Sequence, residues 1–168
     1  MKIRLVVALA GFAISFAVPT FAQGQNTVDP EVRQQIEAVS MKFVEAYNKY
    51  DAAALAALFT EDAVEVRNWP GDEHGGTASG REAIEKRFAA DFAFNPGKMV
   101  NEIVQEYAVG NDICAIANIS VGGALVGTWK NQAATFYVRD ADTWKIRMVY
   151  ANLPSSHREL KPLTPVQE

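Results

Sequence analysis

The last part of the chain has the pattern of consecutive β-strands joined by short turns, and this feature limits the fold more than any other. Turns rich in Gly, Asn and Asp separate four apolar segments that contain many aromatic and β-branched residues. These segments cover residues 99–109, 113–121, 125–138 and 143–153. Strands with connections this short pair antiparallel, so the pattern predicts one strongly twisted sheet.

Three helices are predicted before these strands. Asp29 and Pro30 start the first helix, because Asp caps a helix N-terminus and Pro fits the first turn. Apolar residues then recur at spacings of three and four as far as about Lys49. The other predicted elements are a short helix over 52–59 capped by Asp51, a half-buried strand over 63–67, a glycine-rich loop over 68–80 and a helix over 81–92.

Helices grouped before a run of neighbouring strands predict an α+β domain. The predicted shape is a cone, in which three N-terminal helices pack on one face of a strongly curved antiparallel or mixed sheet. Such a sheet leaves a cavity between its concave face and the helices.

Residues 1–22 have the pattern of a secretory signal peptide. Lys2 and Arg4 precede an apolar run, and the small residues Thr20 and Ala22 predict cleavage after Ala22. An N-terminal membrane anchor is the less favoured alternative. A spanning helix needs about 20 apolar residues, and the apolar run from Leu5 to Phe16 is shorter than that. We therefore expect a secreted or periplasmic protein without membrane contact after cleavage. Its predicted parts are a flexible lead-in over 23–29, one domain over 30–153 and an extended tail over 154–168.

Composition narrows the possible functions. The chain has 168 residues, of which 49% are hydrophobic, and this is enough for one domain with one core. Its formal charge is -4 and it has no basic cluster, so nucleic acid is not an expected partner. Cys114 is the only cysteine, which excludes an intramolecular disulfide. Its apolar neighbours indicate a small core residue rather than a nucleophile.

Four short motifs resemble the SnoaL-like branch of the nuclear transport factor 2-like (NTF2-like) superfamily. They are FVEAYNKYD at 43–51, LAALFTEDAV at 55–64, GREAI at 80–84 and DTWKI at 142–146. The resemblance covers nearly all of residues 30–153. It implies a cone-shaped α+β fold of the cystatin-like roll type. It also implies a homodimer, because members of this fold often pair through the open face of the sheet.

The same resemblance allows a test for the ketosteroid isomerase mechanism. Those enzymes use a Tyr on the first helix, an Asp near the end of the first strand and a second Asp on a later strand. A gap-free alignment puts Phe43, Arg67 and Ala134 at these positions, and none of the three can perform the proton chemistry. Met148 and Tyr150 stand where many exported members carry histidine. The steroid isomerase mechanism, a metal and a cofactor are therefore not expected.

The interior of the cone is the predicted site for a small hydrophobic ligand. Strict alternation would put Trp144, Ile146, Met148 and Tyr150 on one face of the last strand. The predicted ligand-binding residues are Phe43, Tyr47, Trp69, Phe88, Phe136, Met148, Tyr150 and Asn152. They predict an apolar, aromatic-rich pocket without a buried ionisable pair, which suits a small ligand. A completely filled core is the equally weighted alternative.

The remaining polar residues are assigned structural roles. Arg67 is expected to be an exposed charge at a strand end rather than the partner of an acidic ligand. His74 shares the glycine-rich loop with two carboxylates, but metal binding is not expected without a second histidine nearby. Glu61 and Asp62 are expected to face solvent at a turn.

Three hypotheses for the function remain open at this point. The first is a ligand-binding or scavenging domain of the bacterial envelope, and the second is a cofactor-independent lyase or isomerase. The third is an assembly module whose outer sheet face carries Trp129, Thr135 and Tyr137. A titratable group buried in the cavity would favour the enzyme, and neutral walls would favour binding. A filled cone with an apolar outer face would favour assembly.

Overall fold

A computed structural model describes residues 27–67, 76–94, 97–123 and 127–153, without the side chains of residues 123, 127–129, 152 and 153. The predicted signal peptide over 1–22 and the tail over 154–168 lie outside these residues. So do Trp69, His74 and the side chains of Trp129 and Asn152.

The helices begin where the sequence predicts them. They are α1 (Pro30–Asn48), α2 (Ala52–Ala56) and α3 (Arg81–Ala93). The Asp29 carboxylate accepts a hydrogen bond from the Glu31 backbone N–H at 2.8 Å, and Asp51 accepts one from the Ala54 N–H at 2.8 Å. These caps satisfy backbone donors that would otherwise lack partners. Helix α2 is shorter than predicted, because the chain enters the sheet at Phe59.

The described strands form one mixed sheet. They are β1 (Phe59–Arg67), β2 (Gly76–Ser79), β3 (Lys98–Val109), β4 (Asp112–Gly123), β5 (Gly127–Asp140) and β6 (Thr143–Leu153). Their order is β2-β1-β6-β5-β4-β3. Neighbours pair antiparallel except β1 and β6, which pair parallel. The predicted α+β fold with helices on a curved mixed sheet is confirmed, but β2 lies in a segment predicted as loop.

A β-bulge in β6 changes which residues face the helices. Phe136 pairs with Met148 and Tyr137 pairs with Ile146, so Arg147 is an extra residue in the ladder. One extra residue reverses the alternation beyond it. Ile146 and Val149 are therefore both buried, at 1% and 9% exposure, whereas Met148 is 36% exposed. The prediction that Ile146 and Met148 share a face was wrong.

The register of β5 reverses a second prediction. Tyr137 is 3% exposed and belongs to the core, on the face that carries Ile146. Thr135 shares that face, since it pairs with the buried Val149. Thr135 and Tyr137 therefore do not form the outer surface predicted for assembly. The outer face carries Phe136 instead.

The hydrophobic core lies between the helices and the inner face of the sheet. Its largest fully buried side chains are Phe59, Ile36, Leu55, Ile84 and Ile146. Val28 is also buried, at 5% exposure, so the predicted flexible lead-in over 23–29 contributes a core residue. No helix in the described ranges is long and apolar enough to cross a membrane.

Candidate functional site

Helices α1 and α3 place an aromatic cluster over the inner face of the sheet. We call Phe43, Tyr47, Phe88 and Phe92 the aromatic cluster. Tyr47 contacts Phe88 and Phe92 edge-on, with ring centroids 6.3 and 5.1 Å apart, and Phe43 contacts Phe88 in the same way at 5.9 Å. Edge-to-face packing is the favoured geometry for such rings. Three predicted site residues, Phe43, Tyr47 and Phe88, are thus brought together.

Four charged side chains lie beside these rings, and we call Glu65, Arg67, Arg87 and Asp91 the charge cluster. The Arg67 Nε donates to Glu65 Oε1 at 2.8 Å, and its Nη1 donates to Asp91 Oδ2 at 2.5 Å. The Nη1 of Arg87 lies 3.5 Å from Glu65 Oε2 and donates to the Gly76 carbonyl oxygen at 3.2 Å. The negative charges of two carboxylates and the positive charges of two guanidinium groups therefore offset one another.

Arg67 is buried, so the prediction of an exposed charge at a strand end was wrong. Its exposed fraction is 7%, and that of Glu65 is 3%. Both side chains point to the inner face because Ala63, Glu65 and Arg67 alternate on one side of β1. The guanidinium carbon lies 4.9 Å from the centroid of the Phe88 ring, within cation–π range. The predicted absence of a buried ionisable pair in the interior is also wrong.

Burial changes the acid–base behaviour of two groups in this site. It raises the pKa of Tyr47 to about 12, with a further contribution from the charge of Asp91. Tyr47 is therefore a neutral phenol at physiological pH and can donate a hydrogen bond. Burial also raises the pKa of the Glu65 carboxyl, against the opposing effect of Arg67. A carboxyl group in this situation holds its proton more tightly than in the unfolded chain.

The raised pKa of Glu65 predicts a pH dependence for the Glu65→Gln variant. The unfolded chain loses this proton near pH 4.5 and the folded protein only at higher pH. In this window the folded state binds more protons, so the wild type loses stability as pH rises. The Glu65→Gln variant lacks this titration. Its free energy of unfolding relative to wild type should increase as pH rises from 4.5 toward neutral, as measured by urea denaturation at several pH values. A flat or decreasing difference would contradict the prediction.

The other predicted site residues with described side chains lie on the opposite face of the sheet. Phe136 pairs with Met148, and Tyr150 pairs with Ala134 and Val66, all outside the interior. A hollow of about 370 Å³ lies on this outer face. Its lining residues are Asp62, Val64, Asp112, Phe136, Val138, Arg147 and Met148. The predicted ligand site is therefore divided between two faces. Met148 and Tyr150 were misplaced because alternation was extended across the bulge in β6, and Phe136 because the inner face of β5 carries Tyr137 instead.

Two smaller predictions can be compared with the structure. The side chains of Glu61 and Asp62 are 83% and 64% exposed, so the prediction that they face solvent is confirmed. Their predicted place at a turn was wrong, because both belong to β1. Cys114 is only half-buried and lies on the outer face, next to Phe136, rather than in the core. Burial nevertheless raises the pKa of its thiol, which disfavours the nucleophilic thiolate. Within the described residues, no three His, Cys, Asp or Glu side chains are grouped to hold a metal ion.

Comparison with known proteins agrees with this architecture. The model of the SnoaL-like domain matches residues 41–148. An NTF2-like protein of unknown function from Pseudomonas putida KT2440 is 16% identical, with a TM-score of 0.63 over 84% of this chain and 100% of that chain. A ketosteroid isomerase-like protein from Erwinia carotovora atroseptica SCRI1043 is 18% identical, with a TM-score of 0.58 over 74% and 97% of the two chains. No curated protein matches the chain significantly.

Helices on one face of a curved mixed sheet define the class of NTF2-like, cystatin-like folds. Residues 41–148 are most of the domain, so the chain belongs to the SnoaL-like family. The resemblance inferred from the four motifs is confirmed. At these identities, the solved structures show the fold alone.

Proposed function

We propose that this chain is an exported protein that binds a small, largely apolar molecule between its helices and the inner face of its sheet. The observation that carries the proposal is the meeting of Tyr47, Phe88 and Arg67 at one place in the interior. Aromatic walls with a few polar groups are typical of small-ligand sites. The signal-peptide pattern of residues 1–22 supports export to the periplasm or beyond.

Small side chains on the facing wall support the same proposal. Ala151 pairs with Arg67 and with Ala133, and Ala133 pairs with Ala117. We call these three alanines the small-residue floor, since they lie in register across three central strands. Alanine side chains occupy little volume, so this part of the inner face suits contact with a ligand. The charges of the charge cluster offset one another, so the expected ligand is uncharged.

Retention and binding of an apolar probe test this proposal. The protein, exported and purified without refolding, is examined by native mass spectrometry and titrated with the neutral fluorophore N-phenyl-1-naphthylamine. The Phe88→Leu variant should bind the probe at least about 10-fold more weakly than wild type, since a changed wall of an apolar pocket costs about 1–3 kcal/mol.

Phe94 offers a matched control, because it is 78% exposed, whereas Phe88 is 4% exposed. Phe94→Leu should leave the affinity for the probe unchanged. A wild type that neither retains a molecule nor binds the probe, or equal losses in the two variants, would contradict the proposal.

The buried Glu65 carboxyl supports a second candidate function. Its raised pKa suits a group that accepts and returns a proton, and it lies beside Arg67 in the same interior. A cofactor-independent lyase or isomerase acting on a small hydrophobic substrate would need such a group. Uptake of deuterium from D₂O at a carbon of a retained ligand, and its loss in Glu65→Gln, would favour this function over simple binding.

The outer face supports the proposal of a homodimer. Phe136, Met148 and Tyr150 lie there with half-buried Val64 and Val66. A second copy would cover these side chains in an isologous contact. Were the interior to bind nothing, the same surface would serve an assembly module without a ligand. We expect no nucleic-acid partner and no membrane contact of the mature chain.

A further inference from the structure

The outer face of the sheet carries the hollow of about 370 Å³ described above, and we call it the outer hollow. Its volume lies in the range of about 300–1,000 Å³ that is usual for small-ligand pockets. Its apolar lining consists of Val64, Phe136, Val138 and Met148. Val138 is only 9% exposed although it lies on the outer face, so the surface is depressed at this place.

The bulge in β6 provides part of the wall of the outer hollow. Arg147 is the extra residue of the ladder, and both it and Met148 line the hollow. Bulges often direct a side chain to a new place beside a functional site. The Arg147 Nη2 donates to Asp62 Oδ2 at 3.0 Å, so the charges of these two lining residues offset each other.

Asp112 gives the outer hollow an excess of one negative charge. Its side chain is half-buried, and within the described ranges no cationic side chain pairs with it. Lys145 lies beside Val138 in the strand register, but its Nζ donates to the Ala57 carbonyl oxygen at 2.5 Å and it does not line the hollow. A ligand that complements this lining would carry one positive charge.

From this arrangement we propose that the outer hollow binds a small organic cation, in which one ammonium group is attached to an apolar body. The ammonium group is directed to the carboxylate of Asp112, and the apolar body packs on Phe136, Val138 and Met148. The ring of Phe136 adds to the attraction, because the face of an aromatic ring attracts cations. This inference goes beyond the proposed function, since the outer hollow and the interior lie on opposite faces of the sheet.

Three probes of similar size and different charge test the inference. They are 2-phenylethylamine, which is a cation at neutral pH, the neutral 2-phenylethanol and the anionic 3-phenylpropionate. Isothermal titration calorimetry of wild type should give an affinity for the amine at least about 5-fold higher than for the alcohol, because a charged donor strengthens the hydrogen bond to a carboxylate. The propionate should bind most weakly. Affinities are extrapolated to zero protein concentration, since a second copy on the outer face would compete with the probes.

The Asp112→Asn variant removes the unpaired charge and keeps the shape of the side chain. It should reduce the preference for the amine to less than about 2-fold, while the affinity for the alcohol changes little. Asp142→Asn is the matched control, because Asp142 is exposed in the turn between β5 and β6 and does not line the outer hollow. This variant should keep the wild-type preference.

The methionines of the wild type report where the amine binds without the need for any variant. Three of them follow the predicted cleavage site, namely Met41, Met99 and Met148. Met148 lines the outer hollow, Met99 belongs to the core on the inner face, and Met41 is 65% exposed on α1. In nuclear magnetic resonance of protein with ¹³C-labelled methionine methyl groups, the amine should shift the signal of Met148 and leave those of Met99 and Met41 in place.

Several results would overturn the inference. They are the absence of amine binding to wild type, equal affinities for amine and alcohol, and an unchanged preference in Asp112→Asn. A shift of the Met99 signal without a shift of the Met148 signal would overturn it as well, because the amine would then bind in the interior. The proposed function is tested separately by N-phenyl-1-naphthylamine and Phe88→Leu, so either proposal can fail while the other holds.

Discussion

Replacing Arg67 by methionine is expected to lower the free energy of unfolding by about 3–5 kcal/mol, because it leaves the buried Glu65 carboxyl group without its main partner. Arg67 bonds both Glu65 and Asp91, at 2.8 and 2.5 Å. Methionine fills a similar volume but supplies no charge and no donor. Urea denaturation followed by tryptophan fluorescence measures the loss.

Arg147 provides the control for this substitution. It pairs with Asp62 at 3.0 Å, but the side chains of the two residues are 58% and 64% exposed. Exposed ion pairs contribute about 0–1 kcal/mol, so Arg147→Met should have a small effect. A loss below about 1 kcal/mol for Arg67→Met, or the same loss for both variants, would show that the charge cluster is solvated rather than buried.

Replacing Met148 by lysine is expected to weaken the proposed homodimer by at least about 100-fold, because burying an unpaired ammonium group costs several kcal/mol. Met148 lies on the outer face beside Phe136 and is 36% exposed in the single chain. The fold of the subunit should be unaffected, since the new charge meets solvent in the monomer. Size-exclusion chromatography with light scattering and sedimentation equilibrium measure the change.

Met41 allows the same substitution at an unrelated place. It is 65% exposed on α1, away from the outer face of the sheet. Met41→Lys should leave the dimer intact. A wild type that stays monomeric at high concentration, or a Met148→Lys variant that dimerises as wild type does, would refute assembly through the outer face.

The helical half of the fold and site could be predicted because its determinants are local. Asp29 and Asp51 cap helices through contacts within three residues, and both starts are predicted from the sequence. The spacing of Phe43, Tyr47 and Phe88 on their helices also decides which face they occupy. Strand β2 (Gly76–Ser79) was not predicted, because these four residues form a strand only by pairing with β1.

The strand half of the site could not be predicted by alternation alone. The bulge at Arg147 depends on how β5 and β6 pair, and no local pattern marks it. The inward direction of Arg67 could have been predicted from the sequence, since Ala63, Glu65 and Arg67 alternate on one side of β1. Opposite charges two residues apart lie on the same face of a strand and can pair with each other, as Glu65 and Arg67 do.

The bulge in β6 keeps two neighbouring side chains, those of Arg147 and Met148, on the same side of the ladder. Arg147 is exposed, and many side chains would suit its place. Deleting it would remove the bulge and leave Met148 opposite Phe136 and Val149 on the inner face, because Ile146, Met148 and Val149 would then alternate regularly. Straightening the strand without removing a residue would instead exchange the chemistry of an inner wall with that of a contact surface.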